Sequence, residues 1–370
     1  MLADEEELRT EPEETAPAPA LPLRLVAGRV AVCTLVVLGI LTLAAALWVG
    51  RIVVALLFLA MVIAAAIRPS VEALKRRRIP RGVGVLLHYA LFLGLVGLAL
   101  WLVVPAAIDQ VTHALGPEHG LRQEAQGTTG VKHDLLVALD RRLHDLPSGS
   151  KLVDPAVQYG RVAFEIIIGT FFVFATAAYW ILERERAIEV ACSILPRGKR
   201  KTVRDTWELI DLKLGAFVRG QCVLIVIVGT VLSAAFWAVG LPYWLLVGVF
   251  AGIVEIVPVL GPLVAGLVAI GVGLSVSAHL AVLAGLLVLA VRLVEDYLIV
   301  PRVLGHSVGL SPLVVLVSVT FVGIVLGGYV VILAVPLASV VVTLIDVVVR
   351  DKDPAEEDVP SVIFPASDNE

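Results

Sequence analysis

Charge is what this chain has least of. Only 17% of its 370 residues are Asp, Glu, Lys or Arg, 59% are hydrophobic, and the mean hydropathy is +0.95. A soluble domain is nearer half apolar and a quarter charged, so a water-soluble globular chain is excluded. Cysteine is almost absent. Cys33, Cys192 and Cys222 are scattered and odd in number, which gives neither a disulfide framework nor metal-ligand spacing. There is no basic domain, and the basic clusters flank apolar runs, which argues against nucleic acid. No Walker loop and no His-Glu-x-x-His occurs, and no nucleophile–base pair stands out. We therefore expect no enzyme, no cofactor, no metal and no ATP-driven transport by this chain alone.

What is present is a series of apolar segments. The expected fold is all-α: a polytopic integral membrane helical bundle of about eight membrane segments, with broken or re-entrant helices in its C-terminal half. Residues 1–22 read as a disordered acidic tail without the basic start or cleavage site of a signal peptide. N-terminal membrane segments fill 23–105, with 30–48 and 52–67 as a hairpin around Gly50 and Arg51, and a third span, 83–105, ending at Pro105. An extracytoplasmic helical segment follows at 106–160. The fourth span and a cytoplasmic helical linker occupy 161–215, a C-terminal transport core occupies 216–350, and 351–370 form a second disordered tail. Two stretches, 243–276 and 312–348, exceed one span, and each either crosses once with a break or forms two legs. The breaks fall at Pro258–Pro262 and at Gly327-Gly328.

Loop charge sets direction. Residues 68–81 carry six Lys/Arg and one Glu, and 183–213 carry eight Lys/Arg, so both are expected in the cytoplasm. Residues 106–160 carry five across 55 positions and are expected outside. The protein is then a multi-pass protein of the cytoplasmic (plasma) membrane with its N-terminus inside. In the outer segment, Leu135, Leu136, Leu139, Leu143 and Leu146 share a helical face. His133, Asp140 and His144 also share one, but their spacing fits no zinc pattern, and a solvated face is the reading.

The most informative stretch is 245–264, LLVGVFAGIVEIVPVLGPLV, where one carboxylate, Glu255, precedes the helix-breaking set Pro258, Gly261 and Pro262. An ionisable group inside an apolar segment costs roughly 2.5–3.5 kcal/mol on insertion scales and marks a functional site by default. A broken helix at that depth survives only buried in protein or beside a wet cavity. Glu255 is expected to take up a proton or bind a cation, with carbonyls freed near Pro258 completing the site. The structural alternative is a carboxylate that caps or pairs within the bundle. A second constellation joins Glu295, Asp296 and Arg302 ahead of and beyond a break at Pro301, with Arg292 spaced to pair internally with both acids. It is either a gate at the cytoplasmic mouth or an interfacial salt-bridge cluster. Small residues recur every four positions at Gly261, Ala265, Ala269 and Gly273, as packing faces.

Five motifs stand in order: Gly-Leu-Pro-Tyr at 240–243, Gly-Ile-Val-Glu-Ile-Val-Pro-Val-Leu-Gly-Pro at 252–262, Glu-Asp-Tyr-Leu-Ile-Val-Pro-Arg-Val-Leu-Gly at 295–305, Leu-Ser-Pro-Leu at 310–313, and Gly-Gly-Tyr-Val-Val-Ile-Leu-Ala-Val-Pro-Leu-Ala at 327–338. Together with the Arg-rich 68–81 loop they resemble the autoinducer-2 exporter family of permeases (PerM-type membrane transporters). The resemblance implies a helical permease that exports a small signalling molecule or exchanges sodium and protons. The expected partners are a small solute or monovalent cation, the lipid bilayer and further copies of the chain. The competing reading is a non-transporting membrane scaffold or sensor that binds partners through its outer segment and cytoplasmic helices.

Overall fold

The computed structural model describes residues 23–114, 153–303, 310–357 and 359. The 1–22 tail, the Leu-rich stretch at 131–146 with His133, Asp140 and His144, and the end of the 351–370 tail lie outside these residues. The chain falls into two units, residues 1–54 and 55–370.

The first unit holds helix α1 (Leu23–Val49) and the first turn of α2 (Arg51–Arg76). Gly50, expected at the hairpin, is a turn residue between the two helices. Its N donates to Ala46 O at 2.9 Å as the last bond of α1, and its O accepts from Val54 N at 3.0 Å as the first of α2.

In the second unit α2 continues to α3 (Arg81–Ala114), α4 (Val153–Ser193) and α5 (Arg200–Ala238). Then come α6 (Trp244–Val254), α7 (Leu260–Leu274), α8 (Ala278–Val294), a π-helical turn at Glu295–Ile299 and α9 (Val300–Val303). Last are α10 (Pro312–Leu326), a 3₁₀ stretch at Gly328–Leu333 and α11 (Ala334–Val348). Among the described residues, seven helices are long and apolar enough to cross a membrane, while α6, α7 and α10 are apolar but shorter. Apolar side chains such as Leu35, Trp101 and Phe171 stand exposed along the long helices, as a lipid-facing surface requires. The protein is a polytopic helical membrane protein.

Prolines inside helices do not end them here. Pro105, read as the end of the third span, lies within α3, and Pro69 lies within α2. Pro69 lacks the N–H that would bond to Ala65 O. That carbonyl faces Gly215 of α5 so closely that a Cβ there would collide with it. The next carbonyl, Ala66 O, accepts from Arg219 Nη1 at 3.1 Å. The α2 break is thus covered by α5.

The stretch 243–276 resolves into two legs. At the end of α5, Gly240 takes φ +72° and Leu241 N donates to Phe236 O at 2.9 Å, which closes the helix and lets the chain turn into α6. Residues 255–259 then turn it into α7. At 11 and 15 residues, these legs are about 16 and 22 Å long, each short of a ~30 Å hydrocarbon core. Small residues let α6 lie against α5 at backbone distance: a Cβ on Gly252 would come within 2.7 Å of Ile225 O and 2.8 Å of Gly229 Cα. A Cβ on Gly248 would meet Ser233. On α7 the four-residue stripe is buried, and a Cβ on Gly273 would lie 2.6 Å from Ala281 Cα of α8. Around these contacts Val228, Leu232 and Phe236 of α5, Val247 and Ala251 of α6, Ala265 and Ala269 of α7, and Ala284 and Val288 of α8 make one core.

The close approach sets a stability test. Gly252→Ala is expected to cost about 1–3 kcal/mol by overpacking, whereas Gly271→Ala, with nothing within 4 Å of its added Cβ, is expected to be neutral or better. Thermal unfolding of both variants in detergent measures the difference. Equal midpoints would refute backbone-level packing of α6 on α5.

Candidate functional site: a buried carboxylate cluster at a helix break

Glu255 caps the C-terminal end of α6 and is buried, at 3% exposure. The chain beyond it is strained. Val259 has φ +71° and ψ −51°, and Leu260 N donates to Pro258 O at 2.8 Å, which together make a tight γ-turn centred on a β-branched residue. Pro262 falls in the first turn of α7, where a missing N–H costs nothing. Gly261 is required sterically, because a Cβ there would collide with Val254 O. The three break residues thus serve one turn: Pro258 supplies its acceptor, Gly261 lets it close and Pro262 starts the returning helix.

The turn leaves α6 carbonyls without helical partners, and one has a specific donor. Gln221 Nε2 of α5, itself buried, donates to Glu255 O at 2.7 Å. The Glu255 side chain is held from the other direction. Arg292, in the last turn of α8, brings Nη1 to 3.2 Å from Glu255 Oε1 and 3.3 Å from Glu295 Oε2, and Nη2 to 2.9 Å from Asp296 Oδ1. Glu295 is 2% exposed, and its Oε2 shares Arg292 Nη1 with Glu255 Oε1. Asp296 is about half exposed. Three carboxyls thus share one guanidinium, two of them buried and adjacent. Ionising both buried groups beside a single cation leaves uncompensated negative charge, so this arrangement favours holding a proton or a further cation between them.

A π-turn puts Glu295 in place. Val300 N donates to Glu295 O, five residues back. Pro301 follows immediately. It has no N–H, and its ring crowds the carbonyl four residues earlier, which a widened turn relieves. The expected break at Pro301 therefore takes the form of a π-bulge inside a helix that continues to Val303. The side chain of Arg302 lies outside the described residues.

The structure therefore brings Glu255, Glu295 and Asp296 together. Sequence reasoning paired Arg292 only with its helical neighbours and missed Gln221 altogether. A second buried ion network also went unforeseen. Arg184 of α4 pairs with Glu208 at 2.8 Å and with Asp211, while Arg68 of α2 pairs with Glu208 at 2.9 Å, Asp211 at 3.6 Å and Glu72 at 3.0 Å. It ties α2, α4 and α5 where the loops at 68–81 and 183–213 begin. A cavity of about 410 Å³ between α5 and α6, lined by Ser233, Trp237 and Trp244 among others, contains none of the charged groups. It is mostly apolar, and we assign it no part in the chemistry. A Gly-x-Ser-x-Gly string does occur at Gly305-His306-Ser307-Val308-Gly309, outside the described residues. Helices flank it, not the strand that a nucleophile elbow needs. Among the described residues no group of three or more His, Cys, Asp or Glu is placed to hold a metal ion.

A family model described as AI-2E family transporter matches residues 36–350, which include α6, the break and the π-turn. The chain belongs to the AI-2E transporter family. It is similar to YrrI of Bacillus subtilis (strain 168), 24% identical over 300 residues that cover 77% of this chain and 83% of the relative. It is also similar to YueF of the same organism, 26% identical over 310 residues covering 77% and 82%. Both are classed by name, as an assignment, as transport proteins, and neither name states a cargo. This family member is thus a membrane transporter in the general sense.

If Arg292 neutralises the buried pair, removing it strands two carboxyls. Arg292→Gln is expected to lower stability by about 1–3 kcal/mol at neutral pH, since Arg292 is itself a quarter exposed. The deficit should shrink on acidification, which neutralises the stranded carboxyls. Glu255→Gln removes a buried charge and should hold stability or raise it slightly. Unfolding midpoints of wild type and both variants at two pH values read this out, and an Arg292→Gln deficit that does not depend on pH refutes it.

Proposed function

We propose that this protein is a secondary carrier, not an enzyme, that moves a small solute or exchanges protons and sodium across the plasma membrane, with the cluster at the α6–α7 break as its coupling site. One observation carries this reading: Glu255 is buried at a broken helix beside a second buried carboxyl, Glu295, under one shared guanidinium. Such a site is poised between protonated and cation-bound forms, which is what coupling to an ion gradient needs. Asp296, nearer water, offers Arg292 an alternative anion when the buried pair is occupied. Gln221 keeps the freed carbonyl of the break oriented. Pro258, Gly261 and Pro262 keep the backbone open, and Arg302 beyond the π-turn shapes the mouth. Efflux or antiport follows from an ion-coupled site, and small-residue helix faces suit assembly into a homo-oligomer.

Reconstituted vesicles under imposed proton and sodium gradients, with a pH-sensitive dye inside, test the coupling. Glu255→Gln is expected to insert normally and lose gradient-driven flux on the order of tenfold or more, the scale of a typical coupling free energy. Asp296→Asn should lose less, because water substitutes at an exposed position. Full flux with an unchanged pH profile in Glu255→Gln would make the carboxylate structural and sink the mechanism.

Orientation has its own test. In a cysteine-free background, Ser70→Cys and Thr202→Cys should be protected from impermeant maleimide on intact cells, and Ser148→Cys should be labelled, as the loop charges require. The opposite pattern reverses the topology. Thr10→Cys reads the side of the N-terminus, proposed as inside by counting one crossing each for α1 and α2.

A further inference from the structure

The start of the C-terminal tail was expected to be disordered, yet residues 351–357 and 359 turn back towards α5, with Pro354 and Val359 buried. At the end of α11, Asp346 is 6% exposed and accepts from Arg350 Nη1 and Lys352 Nζ, each at 2.8 Å. Lys352 N also donates to Asp346 O at 3.1 Å, which turns the chain back. A second turn follows, with Ala355 N donating to Asp353 Oδ1 at 2.9 Å. Beyond it, Glu357 Oε1 lies 2.7 Å from Lys213 Nζ of α5. Val359 is buried among Leu209, Leu212 and Ala216 of the same helix. The segment leaves α11 and ends on α5.

Lys213 makes this contact consequential. It is 4% exposed, and its ammonium also donates to Thr343 Oγ1 of α11 at 3.2 Å. Glu357 is its ion-pair partner among the described residues. A buried ammonium with only a hydroxyl beside it is costly, so moving the segment away also weakens the hold of α5 on α11. That seam leads towards the site. Gln221, which holds the Glu255 carbonyl, lies eight residues along α5 from Lys213, about 12 Å at the helical rise. Val257 of the break packs in the cluster that includes Ala334 and Leu337 of α11.

We propose that residues 350–357, with Val359, form a strap that latches α11 to α5 through the Lys213–Glu357 pair, and that its release opens the seam between these helices. The strap is a regulatory device built into the chain. Anything that competes for Glu357 or Val359 loosens α11 next to the helix break.

The test uses the full-length protein in nanodiscs, with Cys33, Cys192 and Cys222 replaced by Ser, and does not depend on what is carried. Ala216→Cys reports beneath the strap. Ser339→Cys, one turn along α11 from Thr343 and 3% exposed, reports within the seam. Glu357→Lys is expected to raise maleimide labelling at both positions about tenfold, the shift in open population that losing a charge-assisted bond gives. Glu357→Gln should give a smaller rise. Adding Lys213→Glu to Glu357→Lys re-forms the pair with its charges exchanged and should return both rates towards wild type. A rise at Ala216→Cys alone would make the segment a cover without a latch. Unchanged labelling at both positions, or no recovery in the exchanged pair, would overturn the strap itself.

Discussion

The pairing of Glu255 with Arg292 is the contact on which the C-terminal core turns. A charged Glu255 is not tolerable alone at that depth, since a buried carboxylate without a partner costs several kcal/mol, whereas Arg292 is a quarter exposed and has two further acids beside it. The pair spans from the end of α6 to the end of α8, so it fixes how the break sits against the π-turn. Three acids on one guanidinium also keep the site from being satisfied in a single way. Arg292 reaches buried Glu255 and Glu295 with one nitrogen and the more exposed Asp296 with the other. Its charge is divided between the interior and the edge.

Helix α5 is the spine that makes this geometry possible. It meets α2 beside Pro69 and α6 at its break and offers a donor to a carbonyl at each: Arg219 to Ala66 O, next to the carbonyl that Pro69 leaves without an N–H, and Gln221 to Glu255 O. Two residues apart on a helix is about 200° of rotation, so these donors point to opposite sides. Its glycines do the same for shape, Gly215 facing Ala65 O and Gly229 facing Gly252. In lipid there is little hydrophobic drive between helices, so close backbone approach and satisfied polar groups must hold the bundle together. Lower on the same helix, Asp211 joins α2 and α4 through Arg68 and Arg184, and Lys213 joins α11.

Much of this was legible in the sequence, for identifiable reasons. Apolar length gave the helices, because a span has few alternatives in hydrocarbon. The Pro258–Pro262 break and the Gly327-Gly328 break were readable because proline and glycine act locally. The carboxylates stood out because charge is rare in such runs. What did not show was partnership across the fold. Nothing in the chain order places Arg292 beside Glu255, 37 residues away, or Gln221 beside its carbonyl. Local rules also misled. Pro105 was read as a stop, but a helix in lipid keeps its ladder where it can, and α3 continues past it. The acidic residues after 350 looked like a solvated tail, yet a buried lysine on a distant helix gives Glu357 a partner.

The strained turns flanking the cluster suggest why it is built from breaks instead of from two continuous helices. Val259 occupies a left-handed γ conformation that a β-branched residue avoids, at a cost on the order of 1–3 kcal/mol. Glu295 begins a π-turn, which carries one residue more per hydrogen-bonded ring than its α-helical surroundings. Each lies within a few residues of a buried carboxyl, and each has a regular conformation close by in backbone terms. The π-turn holds Glu295, and the γ-turn the end of α6, in the positions from which both reach Arg292. The electrostatic closure through Arg292 is what makes the strained forms worth holding. On the coupling role proposed for the site, weakening that closure by protonation or a competing cation would lower the cost of leaving them, and so tie a local change of charge to a change in backbone shape where α6 and α7 meet.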